Sequence, residues 1–599
     1  MKQLFIQLFL MVAVGAMAAP MSSPNGKITV TVDGHALKVC YEKQQVLDIA
    51  EAGVDAIAAI TLTQRIKTDY QMLTGKRSHC TNEANEYQIG TTVLRVYNDG
   101  IAFRTSSISP QPSIAYRIPE GTRRWMQQWC DSYEGFFPLS TTYKVAPVPS
   151  YSGTFKSAEG WNNRWGYPAL LEPVDGTFVL ISEANIEHGQ SASCLYNDGE
   201  LFKVEEAEHV AGETSDHTPW RVAIIGKLAD VVESTLITDV SDACKIADTS
   251  WIQPGVVSWI YWAYNHGSND YNIIKKYVDM AETLRLPYVL IDAEWDEMDK
   301  VASNEGKTIE DAINYAKSKG VKPLIWYNSS IGWVDGAPTP KYRLNKPEDR
   351  EKEFAWLEKM GVAGVKIDFF SGDNQRNMDF QLDLLESAAR HYLLVNFHGA
   401  TIPRGWQRTW PNLMSTEGVY GAEWYNNVAT FTNKAASHNA TLPFTRNVIG
   451  PMDYTPCTFS DSQHPHITTH GHELALTVLF ESALQHLADR PESYLAQPKE
   501  VQQFLSTLPA AWDETRFIAG YPGEYVIMAR RSGNKWYLAG INGTDSVKEV
   551  ALNFKGNNVT LLTDEPGKDH TWRIEKQKKL PKSFVFQPRG GFCYIWEIR

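Results

Sequence analysis

Past the N-terminus, no apolar run approaches the roughly 20 residues that span a bilayer, so stable membrane insertion is not expected. Positive charge is also short: 57 Lys and Arg stand against 70 Asp and Glu, a net −13. That balance disfavours a phosphate backbone as partner, and nucleic acid is not expected as a ligand. Cysteine is sparse, with Cys40, Cys80, Cys130, Cys194, Cys244, Cys457 and Cys593 scattered without CxxC spacing. Neither a zinc knuckle nor a disulfide scaffold is implied, and an odd count leaves at least one thiol unpaired within the chain. A Gly-rich phosphate loop, internal repeats and long charge runs are missing as well. His472-Glu473 lacks the second histidine of a zinc-protease motif.

What remains is a packed globular composition, 43% hydrophobic and 21% charged, generous in Trp (19) and Tyr (27). The 599 residues allow about four domains, or one large barrel with attachments. Lys2, the apolar stretch Leu4 to Val14 and the small-x-small site Ala16-Met17-Ala18 read as a secretory signal over residues 1–19. A periplasmic or secreted protein is therefore expected.

Residues 20–248 carry strand signals. Lys27-Ile-Thr-Val-Thr-Val32 alternates, and Val93–Tyr97 meets Ile101–Arg104 across Asn98-Asp99-Gly100, residues that tolerate the positive φ of a hairpin turn. A large β-sandwich is predicted here. Over 249–509 strands alternate with helices. Val256–Ile260, Tyr288–Ile291, Pro323–Trp326, Val365–Phe370, Leu393–His398, Leu413–Thr416 and Leu442–Thr445 read as strands, with Asp270, the Thr308/Asp311 capping box and Pro347/Gly361 marking helix ends. With an apolar helix from about His472 to Leu487, the series predicts a (β/α)8 TIM barrel. Residues 510–599 return to short strands and predict a C-terminal β-sandwich domain.

Active sites of such barrels form where strands end at the C-terminal face, so polar residues just after apolar strands are the candidates. They are Asp292, Glu294 and Trp295; Tyr327 and Asn328; Lys366 and Asp368; His398; Glu417 and Glu423; and Arg446 and Asn447. Acids on neighbouring strands beside aromatic residues suit glycosidic bond cleavage: one carboxylate attacks the anomeric carbon and another protonates the leaving oxygen. Acids at strand ends also serve metals and enolate chemistry. Lys366 lies two residues before Asp368, hence on the same strand face, where its charge would keep that carboxylate ionised or bind a sugar hydroxyl. Asp292, Glu294 and Trp295 are candidate sugar contacts, and His398 would bond a hydroxyl or the nucleophile.

Gly364-Val-Lys-Ile-Asp-Phe-Phe370, Val395-Asn-Phe-His-Gly-Ala400, Pro403-Arg-Gly-Trp-Gln-Arg-Thr-Trp-Pro411, Ser415-Thr-Glu-Gly418 and Leu442-Pro-Phe-Thr-Arg-Asn447 together resemble glycoside hydrolase family 97. The resemblance implies an N-terminal β-sandwich, a (β/α)8 barrel and a C-terminal β-domain in a calcium-dependent α-glycosidase. That family's inverting branch lacks the strand-four Asp and carries a Glu directly after the strand-five His. This chain has Asp368 and, at the later position, Gly399, which resembles the retaining α-galactosidase branch. By that resemblance Asp368 is the nucleophile and Glu423 the acid/base, a pair that retaining enzymes hold about 5 to 5.5 Å apart.

The calcium set is likewise inherited from the resemblance: Glu417 and Glu423, with Glu183 in Ile181-Ser-Glu-Ala-Asn185 as the glutamate reaching in from the N-terminal domain. Oxygen donors suit Ca2+. The expected function is retaining exo-α-galactosidase action on an oligosaccharide or glycoside. β-L-Arabinopyranosidase is the runner-up, α-glucosidase follows, and a non-catalytic glycan-binding protein comes last.

Overall fold

The computed structural model describes residues 20–55, 57–106, 113–144, 163–210, 215–261, 267–425, 427–462, 464–568 and 570–598. The signal-peptide reading concerns residues outside that set.

The N-terminal part is one large, mainly antiparallel sheet that turns back on itself around a core including Ile28, Val30, Leu94, Tyr116, Leu180 and Ile224. Period-two alternation builds it: Ile28–Asp33 buries Ile28 and Val30 while Thr29 and Thr31 lie further out. The predicted hairpin forms between Thr92–Tyr97 and Gly100–Thr105, with Val96 opposite Ile101. Among the described residues, only the short helices Leu228–Glu233 and Leu236–Asp239 interrupt the strands before the barrel.

The barrel strands run in parallel, in the order Leu413–Thr416, Leu394–Phe397, Gly364–Asp368, Lys322–Asn328, Tyr288–Ile291, Gly255–Trp259 and Leu484–Leu487. Tyr288–Ile291 is wholly buried, as a strand covered on both faces must be. Between strands the sequence signals operate as read. Asp270 accepts from Asn272 N (2.8 Å) and Ile273 N (3.3 Å) to start helix Tyr271–Leu284, a cap worth about 1 kcal/mol. Thr308 and Asp311 form their capping box, and Pro347–Met360 ends on Gly361 at φ 75°.

Two barrel expectations are corrected. Leu442–Phe444 is a 3-10 turn rather than a strand; Pro443 has no N–H for a ladder and Phe444 N bonds locally to Thr441 O (3.1 Å). The apolar run from His472 to Leu487 is not one helix. Helix His470–Leu479 stops at Phe480, and Leu484–Leu487 pairs with Gly255–Ser258 as the last strand; a short apolar run cannot be told from a helix by periodicity alone. The ring nearly closes: Ala483 N reaches Met414 O (3.2 Å), and the segment 452–456 fills the remaining gap through Asp453 N to Thr416 O (3.1 Å) and Ala488 N to Pro456 O (3.4 Å).

The C-terminal part is a six-stranded antiparallel sheet with a two-stranded ribbon, Lys548–Ala551 against Ser583–Phe586. Helix His470–Leu479 packs against it, and Arg530 donates to Leu479 O (3.1 Å). Among the described residues, no helix is long and apolar enough to cross a membrane.

Candidate active site

A cavity of about 320 Å³ opens at the C-terminal ends of the barrel strands, lined by Asp292, Glu294, Lys366, Asp368, His398, Gly399, Glu417 and Glu423, with aromatic walls from Trp326, Trp333, Phe369 and Trp424. Asp368 ends its strand and is 8% exposed. Its Oδ2 accepts from Trp326 Nε1 (3.1 Å) and its Oδ1 from Phe369 N (2.9 Å), which orients the carboxylate against the cavity.

Lys366 lies between two acids, 3.1 Å from Asp292 Oδ2 and 3.8 Å from Asp368 Oδ2. Burial opposes its charge, yet Asp292, Asp368 and Glu423 together hold its pKa above the ordinary lysine value. Asp292 also accepts from Trp259 Nε1 (2.8 Å) and from Ala293 N (2.9 Å). This corner is a charged, fully hydrogen-bonded wall suited to sugar hydroxyls.

The opposite corner is crowded with acid. Glu417 Oε2 accepts from Gly399 N (2.7 Å), and Glu417 Oε1 lies 3.5 Å from His398 Nδ1. Glu423 Oε2 is 4.0 Å from the same nitrogen. One ligand atom each from His398, Glu417 and Glu423 lies within 4.8 Å of the others. Burial, then Glu134, Glu423 and Asp368, hold the Glu417 carboxyl well above the usual range. His398 Nε2 is occupied by Asp453 (2.7 Å), which also accepts from Asn396 Nδ2 (2.7 Å). Burial, then the Lys366 charge, lower the His398 pKa, so a neutral ring faces the acids.

The N-terminal part does supply a glutamate, but it is Glu134. It lines the cavity, accepts from Trp424 Nε1 (2.9 Å), and burial pushes its carboxyl up to about 7. Glu183 is the first site correction. It is fully buried away from the cavity and saturated by Ser193 N (3.0 Å), Ser193 Oγ, Arg404 Nε (2.6 Å) and Arg221 Nη1, so no lone pair is left for a metal. Trp295 is the second. Its indole N–H donates to Trp326 O (2.7 Å) and its ring stacks on Trp356, behind the wall instead of on it. Glu294 remains at the cavity, in a left-handed conformation at φ 71°. Arg446 is structural: it donates to the carbonyls of Thr416, Glu417 and Gly418 and so fixes the loop that carries Glu417.

Gly399 is tight against Asp368. At φ +50°, a Cβ there would meet Phe369 N at 2.9 Å and Asp368 Oδ1 at 3.0 Å.

Three family descriptions match in order: Glycosyl-hydrolase 97 N-terminal over residues 21–243, Glycoside hydrolase 97 over 251–419, and Glycosyl-hydrolase 97 C-terminal, oligomerisation over 511–596. The chain belongs to glycoside hydrolase family 97. It is a glycosidase. A "Probable retaining alpha-galactosidase" of Streptomyces bingchenggensis is 36% identical over 83% of this chain and 73% of its own length. The "Retaining alpha-galactosidase" of Bacteroides thetaiotaomicron is 26% identical over 84% and 82%. A solved beta-arabinopyranosidase superposes with a TM-score of 0.81 at 26% identity, covering 97% of this chain and 100% of its own.

Against the family 97 barrel, the residues that sequence reasoning missed sort into two kinds. Trp259 and Trp326 share the interior face of their strands; Trp326 pairs with Lys366, and Asn328 with Asp368, in register. Period two along Lys322–Asn328 carries that signal. Glu134 and Asp453 come from loops and Trp424 from the short 3-10 helix Ala422–Trp424, and nothing in local spacing marks them.

Proposed function

We propose that this protein is a retaining exo-α-galactosidase that removes terminal α-D-galactosyl residues. The observation that carries the reading is Asp368, oriented by Trp326 and Phe369 N at the end of the fourth strand, with Gly399 packed against it where any side chain would crowd the carboxylate. The names of the two curated relatives support it.

In the first step the Asp368 carboxylate attacks the anomeric carbon as the bond to the leaving oxygen breaks, and Glu423 delivers its proton to that oxygen. A β-linked galactosyl ester on Asp368 results. Water then attacks the same carbon, passing a proton to Glu423 and releasing Asp368 and α-galactose. Lys366 and Asp292 hold hydroxyls of the terminal ring, and the neutral His398 fixes the face on which Glu423 works. β-L-Arabinopyranosidase activity is the second reading. That sugar has the same ring stereochemistry and lacks only the exocyclic CH2OH, and the solved beta-arabinopyranosidase is 26% identical.

Calcium fits the acidic corner. Glu134, Glu417 and Glu423 would hold it, with water where Gly399 offers no side chain; His398 departs from the all-oxygen set that calcium favours. When bound, the ion supplies positive charge that orients Glu423 and polarises the leaving region. Burial first, and then the neighbouring acids, raise the Glu134 and Glu417 carboxyls, and a cation between them would favour their ionised forms.

This gives a sign for pH. The native state holds a proton on Glu134 more tightly than the unfolded chain does, between the ordinary 4.5 and about 7. Stability of chelated protein therefore declines as pH rises through that window. Calorimetry at pH 5 and 7.5 should find the chelated melting temperature lower at pH 7.5, with added calcium restoring more there than at pH 5. An equal calcium effect at both pH values would count against a site built on Glu134.

We assign the protein to the periplasm or the cell exterior on the strength of its N-terminal signal pattern. The deciding test of the reaction is proton NMR during turnover of p-nitrophenyl α-D-galactopyranoside and, in parallel, the β-L-arabinopyranoside. First appearance of α-galactose supports retention by Asp368. First appearance of the β anomer removes Asp368 as nucleophile, and preference for the pentoside moves the substrate to the second reading.

A further inference from the structure

Glu183 is not at the cavity, yet it lies in a buried chain of charges that ends beside it. Arg221 donates to Glu183 and, through Nη2, to Glu206 (3.1 Å); Arg404 Nε donates to the other oxygen of Glu183 (2.6 Å). Arg404 Nη2 then reaches Asp373 Oδ1 at 2.9 Å. Arg404 and Glu183 are both 0% exposed, and Asp373 is 3% exposed. Burial works against the Arg404 charge, but Asp373, Tyr133 and Glu183 hold it firmly protonated.

Asp373 collects the chain's far end. Its carboxylate accepts from Arg404 Nη2, Thr401 Oγ1 (2.6 Å), Tyr133 Oη (2.7 Å) and Trp129 Nε1 (2.8 Å). The donors come from two segments and the acceptor from a third, and each segment carries a cavity residue a few positions away. Tyr133 immediately precedes Glu134; Asp373 follows Asp368 on the loop after strand four; Thr401 follows His398 and Gly399 on the loop after strand five. Tyr133 also sits at φ 57°, a left-handed conformation that a bulky residue holds only when its surroundings enforce it. Its hydroxyl is held at both sides, donating to Asp373 and accepting from Arg404 Nη2 (3.1 Å).

We propose that Asp373, with Tyr133 and the Arg404–Glu183 pair behind it, positions Glu134 in the cavity, so that the N-terminal domain sets the geometry of the active site through this clamp. Tyr133 and Asp373 are positioning residues: they touch neither the cavity nor the reacting atoms. The clamp rests on the glycosidase assignment and on the place of Glu134, not on which sugar is the substrate, so it is tested with whichever glycoside the protein turns over.

The experiment is a double-mutant cycle in the full chain with Tyr133→Phe and Glu134→Gln. Tyr133→Phe keeps the ring and removes only the hydroxyl, and the expected result is a kcat lower by about tenfold with KM within about twofold and an unaltered fold by circular dichroism. In the Glu134→Gln background the same hydroxyl deletion should cost almost nothing, because the group it positions has gone. A merely structural role for Tyr133 would subtract the same factor in both backgrounds, and that additivity overturns the proposal. So does a Tyr133→Phe enzyme as active as the parent, or a Glu134→Gln enzyme with unchanged kcat. Should Tyr133→Phe misfold, Trp129→Phe removes a different donor from the same carboxylate and completes the cycle. If Glu134→Gln leaves too little steady-state turnover to measure, the single-turnover rate of p-nitrophenol release at high enzyme concentration replaces kcat in all four corners, with the same outcomes.

Discussion

Replacing Asp368 by asparagine is expected to lower kcat by roughly four orders of magnitude, about 5.5 kcal/mol of barrier, while the melting temperature changes little. The amide keeps the shape of the carboxylate, so the contacts to Trp326 Nε1 and Phe369 N can be partly kept. What it removes is the charge that, in the proposed mechanism, attacks the anomeric carbon. A second observation separates a nucleophile from a carboxylate that only stabilises charge. Asp368→Gly opens a cavity beside Trp326, and added azide should enter it and restore turnover of an activated α-galactoside, giving the β-galactosyl azide. Rescue with an α-configured azide, or an Asp368→Asn enzyme within tenfold of the parent, would mean that this residue is not the nucleophile. Lys366 bears on the same result. It sits 3.8 Å from Asp368 and 3.1 Å from Asp292, so neutralising Asp368 leaves the lysine paired with Asp292, and a collapse of the fold is not expected.

How much of this was legible in the sequence depends on whether a residue's surroundings are local. The barrel strands read correctly where an apolar run was bounded by a cap or a glycine, as at Tyr288–Ile291 and Gly364–Asp368. Strand ends then located Asp292, Lys366, Asp368, His398, Glu417 and Glu423 at one cavity, because parallel strands in register deliver their C-terminal residues to a common face. The last strand was missed because Leu484–Leu487 continues an apolar helix in sequence and leaves it only where Glu481 N turns to Asn447 Oδ1 (2.8 Å), a partner 34 positions away. Glu183 and Glu134 show the same limit. Both are glutamates of the N-terminal domain, and the pattern Ile181-Ser-Glu-Ala-Asn185 lies at the end of a fully buried strand, Thr177–Ala184, which looks like the strand-end acids of the barrel. Whether such an acid meets a cavity or two arginines is decided by Arg221 and Arg404, one of them 221 positions away. Trp295 failed for a related reason: it follows Asp292 in the right loop, but its N–H is taken by Trp326 O, so Trp326 became the wall.

Gly399→Ala is expected to lower kcat by roughly a hundredfold, the scale on which a misplacement of about 1 Å in a reacting group acts. Two costs combine there and can be separated. The first is backbone conformation: φ is +50°, and an alanine in the left-handed region loses about 1 kcal/mol of stability relative to glycine. The second is space. The new methyl would lie 2.9 Å from Phe369 N and 3.0 Å from Phe369 Cα, which belong to the backbone and cannot move aside, and 3.0 Å from Asp368 Oδ1, which can only rotate away. Rotation breaks the bond from Phe369 N that fixes the carboxylate. Gly320→Ala isolates the first cost, because Gly320 has φ +74° with open space around its Cβ position and lies far along the chain, after helix Ile309–Ser318. Its melting temperature should fall as that of Gly399→Ala does, with kcat unchanged. Equal kinetics for the two variants would mean that Asp368 tolerates a neighbour at position 399. A large kinetic loss confined to Gly399→Ala would mean that a side chain at this position and an attacking carboxylate at position 368 compete for one volume. In that case positions 368 and 399 are a single physical choice: a side chain after the strand-five histidine needs space that Asp368 occupies here, and Asp368 needs a glycine.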